Sequence, residues 1–255
     1  MLLAIDVGNS TVKITLFDGS EISCRWRLST DRAITEDDAA VKLGWLLAER
    51  ELSFGAITRV VVCSVVPALT PVFASLARRL SGSDALVVGP RVDTGLRLGD
   101  YDRATLGADR LANLVAAHRL YGSPAVVVDC GTATNFEVLA GDGTFLGGVI
   151  APGLLTAFEG LASRAAQIHA IELTAPDHAI GLSTAGCLQS GVVLGHVALV
   201  EGMLSRISLE MQEQPRVIGT GGLIQLVASH TRAIDALDID LTAHGLRLLS
   251  DLNQR

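Results

Sequence analysis

The sequence predicts an α/β protein built from one unit written twice, with a cleft between the two copies. Three observations carry that prediction. The opening MLLAIDVGNSTVKITLF is β-rich, and its first apolar run stops at a carboxylate, Asp6, with Gly8 two residues on. The stretch AVVVDCGTATNFEVLAGDGTFLGG, Ala125 to Gly148, repeats the pattern 123 residues later, with Asp129 under Asp6, Gly131 under Gly8 and Thr134 under Thr11. After each copy, helical and strand-like periods alternate, the pattern of helices packed on a mostly parallel sheet.

In the first copy the strand leading to Asp6 is followed by VKITLF, a Gly/Asp turn (DGS) and a third strand, EISCRWR. EDDAAVKLGWLLAERE has helical spacing, RVVVCSVV reads as a strand, ALTPVFASLARRLSG as a helix and ALVVG as a short strand. LGADRLANLVAAHRLYG reads as a helix stopped by Gly122. In the second copy NFEVL, GDGT and TFLGGVI repeat the strand, turn and strand. PGLLTAFEGLASRAAQ and STAGCLQSGVVLGHVALVEGMLSRISLEM read as helices, RVIGTGG as a strand and turn, LIQLVASHT as a helix, LDIDL as a strand and HGLRLLSDLN as the last helix. The break between copies falls near Gly122-Ser123-Pro124, giving domains 1–122 and 123–255.

The chain has 255 residues, 49% of them hydrophobic, and a mean hydropathy of +0.43. That value fits strands buried on both faces or a large subunit interface. With 20 basic and 27 acidic residues, the net charge of -7 argues against non-specific binding to nucleic acid or to an anionic membrane. The N-terminus lacks a basic region, so no signal peptide is expected. The apolar run RVVVCSVVPALTPVFASLA is broken by Pro67 and Pro71, so no transmembrane helix is expected. Cys24, Cys63, Cys130 and Cys187 form no C-x-x-C pair, as expected of reduced thiols in a cytoplasmic protein. The histidines lack metal-ligand spacing.

The two turns carry the chemistry. A glycine at Gly8 or Gly131 lets an anion approach main-chain N–H groups, and Asn9, Ser10, Thr11 and Thr132 add side-chain donors. Such loops suit phosphate. Asp6 and Asp129 would repel it unless cations sit between, so a phosphate chain with metal ions is the expected ligand. The competing reading, an Asp that only caps a tight turn, is much weaker for a duplicated pair than for one copy. GTGG, Gly219 to Gly222, is a third glycine cluster, suited to a nucleotide or to close packing. No G-x-x-x-x-G-K-[ST] occurs, which excludes a P-loop kinase. In LGADRLANLVAAH, Asp109 and Arg110 fall in a first helical turn, where the helix N-terminus favours the ionised Asp. Asp109 is placed to accept a proton from an alcohol, and the Arg110 fork to bind a carboxylate.

Taken in order, DVGNSTVK at residue 6, GADR at 107, DCGTAT at 129, GGVIAPG at 147, STAGCLQSG at 183 and GTGG at 219 resemble the type III pantothenate kinases. These belong to the group that includes actin, Hsp70 and sugar kinases, so two actin-like (ribonuclease H-like) domains are implied. The resemblance implies ATP-dependent phosphorylation of the pantothenate hydroxyl, the first step to coenzyme A. It implies that Asp6, Val7, Gly8, Asn9, Ser10, Thr11, Val12, Lys13 and Thr132 hold ATP with Mg²⁺. It implies that Tyr101, Gly107, Ala108, Asp109, Arg110 and Thr184 hold pantothenate, Asp109 being the proton acceptor. Asp129 would bind K⁺ or NH₄⁺. The sequence departs from the family in Tyr101-Asp-Arg-Ala104, in Asn135 where threonine is common, in AAQIHAIEL, which lacks a Leu-Pro, and in GLSTAG, which lacks a preceding basic residue.

Small and apolar residues occur on most faces of Ser183–Met211, which suits a homodimer interface, as the resemblance also implies. Two other functions fit the same residues. One is a kinase for another small alcohol; the other is a non-catalytic nucleotide-binding regulatory protein. The intact set Asp6, Asp109 and Asp129 favours catalysis.

Overall fold

The computed structural model describes residues 1–164 and 172–254. By packing, the chain forms two units: Met1–Leu96 with Asp102–Ala116 and Asp240–Arg255, and Arg97–Tyr101 with Ala117–Ile239. Each holds one five-stranded mixed sheet.

The first sheet runs in the order β3-β2-β1-β4-β5, with β1 at Leu2–Val7, β2 at Thr11–Asp18, β3 at Glu21–Ser29, β4 at Arg59–Ser64 and β5 at Leu86–Val87. β1 is antiparallel to β2 and parallel to β4. Side chains alternate across a strand, so Leu3, Ile5 and Val7 face one way and Leu2, Ala4 and Asp6 the other. The first face packs on α1 (Glu36–Ala48) and α2 (Thr70–Ser81) through Leu43, Leu47, Phe73 and Leu76. The second packs on α8 (Leu241–Leu252), whose His244 ring lies 6.0 Å from Phe17, and α8 in turn packs on α3 (Ala108–Ala116). Burial on both faces is why β1 reads as an unbroken apolar run. α1 starts as the sequence allows. Thr35 accepts from the Asp38 amide and the Asp38 carboxylate takes the Thr35 amide, a reciprocal cap.

The second sheet repeats that order as β8-β7-β6-β9-β10, with β6 at Ala125–Cys130, β7 at Ala133–Leu139, β8 at Phe145–Pro152, β9 at Arg216–Thr220 and β10 at Ala236–Leu237. Val126, Val128 and Cys130 face α6 (Gly195–Met211), which packs on them through Val197, Val200, Leu204 and Ile207. The remaining helices are α4 (Leu154–Ala162), α5 (Thr184–Gln189) and α7 (Ile224–Ala228).

Several elements differ from the sequence expectation. The LDIDL strand shrinks to Ala236–Leu237, and Asp240 instead precedes α8, which begins three residues before HGLRLL. The helix expected over LIQLVASHT is only Ile224–Ala228. α4 ends at Ala162 and Ser163 and Arg164 form a turn; the rest of its expected span, 165–167, and most of AAQIHAIEL lie outside the described residues. Both long helices contain a π-helical turn, at Ala117–Tyr121 after α3 and at Ser190–Leu194 between α5 and α6. The first does stop at Gly122, whose φ is +85°. The duplication also slips by one residue. Val7 pairs with Val12 but Cys130 with Thr134, so the second turn is one residue shorter. The burial rhythms of β2 and β7 coincide when Thr11 is set on Ala133. Thr134 therefore occupies the place of Val12, on the buried face.

Gly245 of α8 sits so close to α3 that a Cβ there would meet the Ala112 carbonyl oxygen at about 2.0 Å. Gly245→Ala is expected to cost roughly 1–3 kcal/mol of stability, as overpacking does, read as a lower urea midpoint. An unchanged midpoint would mean that the two helices reseat freely.

Candidate active site

In the first unit three elements bring acidic groups together. Strand alternation turns Asp6 to the side occupied by α3 and α8. Cys63 of β4 is its register partner on one flank and Lys13 of β2 on the other. Lys13 Nζ lies 3.6 Å from Asp6 Oδ2, and Asp6 keeps only a small solvent-facing area. The buried Cys63 thiol is pushed far above its ordinary pKa, first by burial and then by the carboxylates of Asp6 and Asp109. Asp6 and Asp109, 103 residues apart in sequence, thus act on one buried atom.

Asp109 stands in the first turn of α3, where one carboxylate oxygen, Oδ1, accepts from the Arg110 amide at 2.8 Å. A Cβ on Gly107 would lie 2.6 Å from that same oxygen, so a larger residue there would displace the Asp109 carboxylate. Arg110 is only 7% exposed, so it is no solvated surface arginine. Ala108 is buried beside it.

The first turn is closed by the Gly8 amide, which bonds the Thr11 carbonyl at 3.0 Å. A Cβ on Gly8 would press on that carbonyl. Thr30 fastens the turn from β3's end, donating its hydroxyl to Gly8 O at 2.7 Å and its amide to Ser10 O at 3.1 Å. Asn9 and Ser10 are exposed, while Val7 and Val12 are buried and serve as frame.

In the second unit the Gly131 amide bonds the Ala133 carbonyl at 2.9 Å, closing the matching turn. Thr132 is exposed, and its carbonyl accepts from the Gly153 amide and the Thr156 hydroxyl, which ties the head of α4 to the turn. Gly221 of GTGG, with φ +96°, lies where a Cβ would sit 2.5 Å from Asp129 Oδ1. The third glycine cluster is therefore packed directly against Asp129. Opposite Asp129 in the ladder stands Asn135, where the first copy has Lys13. The Asn135 Oδ1 is buried without a hydrogen-bond partner. Burial, with Asp129 adding to it, raises the Cys130 thiol to about 12.

Tyr101 packs against Phe145 with the rings tilted by 56° and their centroids 4.9 Å apart. Thr184 is the exposed first residue of α5, whose Ser183 cap accepts from the Gly186 amide at 3.1 Å. The structure thus gathers Asp6, Lys13, Asp109 and Arg110 in the first unit, and Asp129, Thr132, Tyr101 and Thr184 belong to the second. Sequence reasoning missed Cys63 and Thr30. Gly153 and Gly221 fall within GGVIAPG and GTGG, but those motifs do not show that the two glycines pack against the second turn and Asp129. Only the strand register marks Cys63, and no motif marks Thr30. Among the described residues no cluster of three or more His, Cys, Asp or Glu suits an all-protein metal cage.

The sequence profile of a family described as type III pantothenate kinase matches residues 2–206. The chain is 41% identical to the type III pantothenate kinase of Moorella thermoacetica, over 99% of this chain and 100% of that one. It is 43% identical to the type III pantothenate kinase of Thermomicrobium roseum, over 97% of this chain and 95% of that one. Among solved structures, the crystal structure of a conserved putative Baf family transcriptional activator from Campylobacter jejuni is similar with a TM-score of 0.63 and 19% identity, covering 98% of each chain. That likeness concerns fold.

Cys63 and Cys130 are expected to resist a thiol-specific disulfide reagent in the native protein at pH 8, because burial removes both access and thiolate. Both should react once the chain is unfolded in denaturant. Native labelling of Cys63, located by peptide mass, would contradict its placement under Asp6.

Proposed function

The chain belongs to the type III pantothenate kinase family, and from that premise we propose how its residues divide the work of moving the ATP γ-phosphoryl group to pantothenate. The observation that carries the reading is the convergence of Asp6 and Asp109 on Cys63. One acidic group stands at a phosphate-type turn and a second in the same unit at the head of a helix, where it can serve an acceptor alcohol as base, and both raise the pKa of the buried Cys63 thiol.

Gly8, Asn9, Ser10 and Thr11 offer the ATP phosphates amide and side-chain donors, with Lys13 adding a positive charge. Asp6 is a hard oxygen donor suited to Mg²⁺, which takes one or two carboxylates and fills its remaining positions with phosphate oxygens and water. Bound there, the ion would offset the charge that develops on the phosphates. Arg110 pairs with the pantothenate carboxylate, and Tyr101 and Thr184 contact the rest. Asp109 takes the proton of the primary hydroxyl as its oxygen bonds to the γ-phosphorus and the bond from that phosphorus to the β-bridging oxygen breaks. The products are 4'-phosphopantothenate and ADP. The transition state is loose, so holding the alcohol in line matters more than a strong base, and an ordinary carboxylate suffices.

Asp129 holds a monovalent cation, K⁺ or NH₄⁺. Asp6 has Lys13 opposite it, whereas Asp129 stands opposite neutral Asn135, whose buried Oδ1 has no hydrogen-bond partner and would serve as a second oxygen ligand. The exposed side of the long helix supports a homodimer. Gly191, Gly195 and Gly202 meet nothing within 4 Å, Ala198 is exposed beside them, and small residues let two helices approach closely. Thr184–Met211 is long and apolar enough to cross a membrane by length and composition, with 33% of its most apolar window buried. We assign that surface to a second copy of the chain, in a cytoplasmic enzyme with no membrane or nucleic-acid partner.

An assay coupling ADP release to pantothenate tests the reaction. Asp109→Asn is expected to lower kcat at least about a hundredfold, in the range of general-base effects, with ATP binding retained by calorimetry. Wild-type turnover in that variant would assign the base elsewhere. The analogue carrying an alcohol in place of the carboxylate should be a poor substrate for the wild type and lose little further in Arg110→Ala. Asn135→Lys, which copies the first turn, is expected to weaken the dependence of rate on K⁺ or NH₄⁺; unchanged dependence removes Asn135 from the cation site. Sedimentation should give a dimer whose activity falls on dilution, and a fully active monomer would refute the interface.

A further inference from the structure

α6 meets the second sheet mainly through apolar side chains, Val197, Val200, Leu204 and Ile207 against Val126, Val128 and Phe136. A polar contact sits among them. His196 Nε2 lies 3.0 Å from Thr134 Oγ1, with His196 6% exposed and Thr134 fully enclosed. The Thr134 hydroxyl also faces the Cys130 thiol. Thr134 and Cys130 are register partners, and between them runs the Gly131-Thr132-Ala133 turn. Asp129 is the next residue back and turns to the opposite face of the sheet. The His196–Thr134 pair therefore backs the turn from the sheet face opposite Asp129.

The helix is arranged so that His196 arrives there. Its π-helical turn, Ser190–Leu194, ends two residues before His196. One extra residue in a turn rotates everything that follows by about 100° relative to an unbroken helix. Without it another side chain would face Thr134. At the other end of the same continuous helix is Thr184, twelve residues and about 18 Å of helix rise away. Buried polar pairs set register well, because a slip leaves both partners without hydrogen bonds in an apolar setting. Burial lowers the His196 pKa, which leaves a neutral ring that either donates to or accepts from the hydroxyl.

We propose that the His196–Thr134 bond is a latch that fixes the register of the 184–211 helix on the rear of the second turn, so that the Asp129 turn and Thr184 hold their places as one body. His196 is a positioning residue: it acts through Thr134 and through its own helix. The consequence for catalysis rests on the reading of Asp129 as cation ligand and Thr184 as substrate contact. The mechanical part does not.

The test uses the full-length protein and the variants His196→Leu, Thr134→Val, the double variant and His196→Gln, whose amide can keep a hydrogen bond to the hydroxyl. Amide hydrogen exchange is followed at Gly131, whose N–H closes the turn, and at Gly186, whose N–H binds the α5 cap. Each single variant is expected to speed exchange at both ends roughly 3- to 10-fold, the worth of one buried hydrogen bond. The double variant should be no faster than the worse single, and His196→Gln should recover most of the loss. K⁺ half-saturation and the KM for pantothenate should rise together by a similar factor, with a smaller change in kcat. Thr134→Val removes one oxygen, so it carries the test if His196→Leu does not fold. Exchange unchanged at either end, or additive effects in the double variant, would overturn the latch. Asp129→Asn separates the two ideas. If it keeps the K⁺ response while both amides still loosen in the latch variants, the cation reading fails and the latch stands. If it loses the K⁺ response while the latch variants leave the amides alone, the latch fails and the cation reading stands.

Discussion

A carboxylate at the end of a strand buried on both faces is the constraint on which the rest depends. A charge there is costly unless something holds it. β1 and β6 share one burial rhythm, fully enclosed until the acidic residue, where solvent first reaches the strand. Everything near each acid answers that cost. Gly8 and Gly131 close the turns, Thr30 and Thr156 pin them from neighbouring elements, and Gly221 leaves room for Asp129. The same demand selects Lys13 in one copy and admits Asn135 in the other.

That difference shows how a duplicated unit acquires two roles. The backbone repeats closely, down to sheet order and strand direction. The side chains across from the acids do not. In the first unit the acid has a built-in cation from β2 and a second acid from α3 close by. In the second it has an amide carbonyl and a glycine at van der Waals range. A fold can duplicate geometry cheaply, but chemistry changes with one residue opposite a charge.

Much of this was legible in the sequence because the informative features are local. The strand that ends in Asp6, the helix that opens with Asp109 and the glycine that stops the third helix at Gly122 each follow from neighbours in the chain. The family resemblance rests on the same short motifs. What was illegible depends on register and distance. Thr134 was set on Thr11 because a one-residue shortening of the turn leaves no mark in composition, yet it moves Thr134 to the enclosed face. LDIDL alternates like a strand, but its neighbour β9 offers pairing for only two residues, and Asp240 heads a helix instead. Cys63 is an ordinary apolar-strand residue until the sheet sets it beside Asp6. The π-helical turns shift the helical phase by one residue, and in helices with small and apolar residues on most faces that shift leaves no clear mark in the sequence.

The first unit is discontinuous in sequence. Its layer at 241–252 is made after every residue of the second unit, and it seals the face that carries Leu2, Ala4 and Asp6. In a chain made from its N-terminus, every residue of the second unit is available before the helix that walls the first. The acidic end of β1 therefore gains its finished surroundings only after the whole second unit has been made.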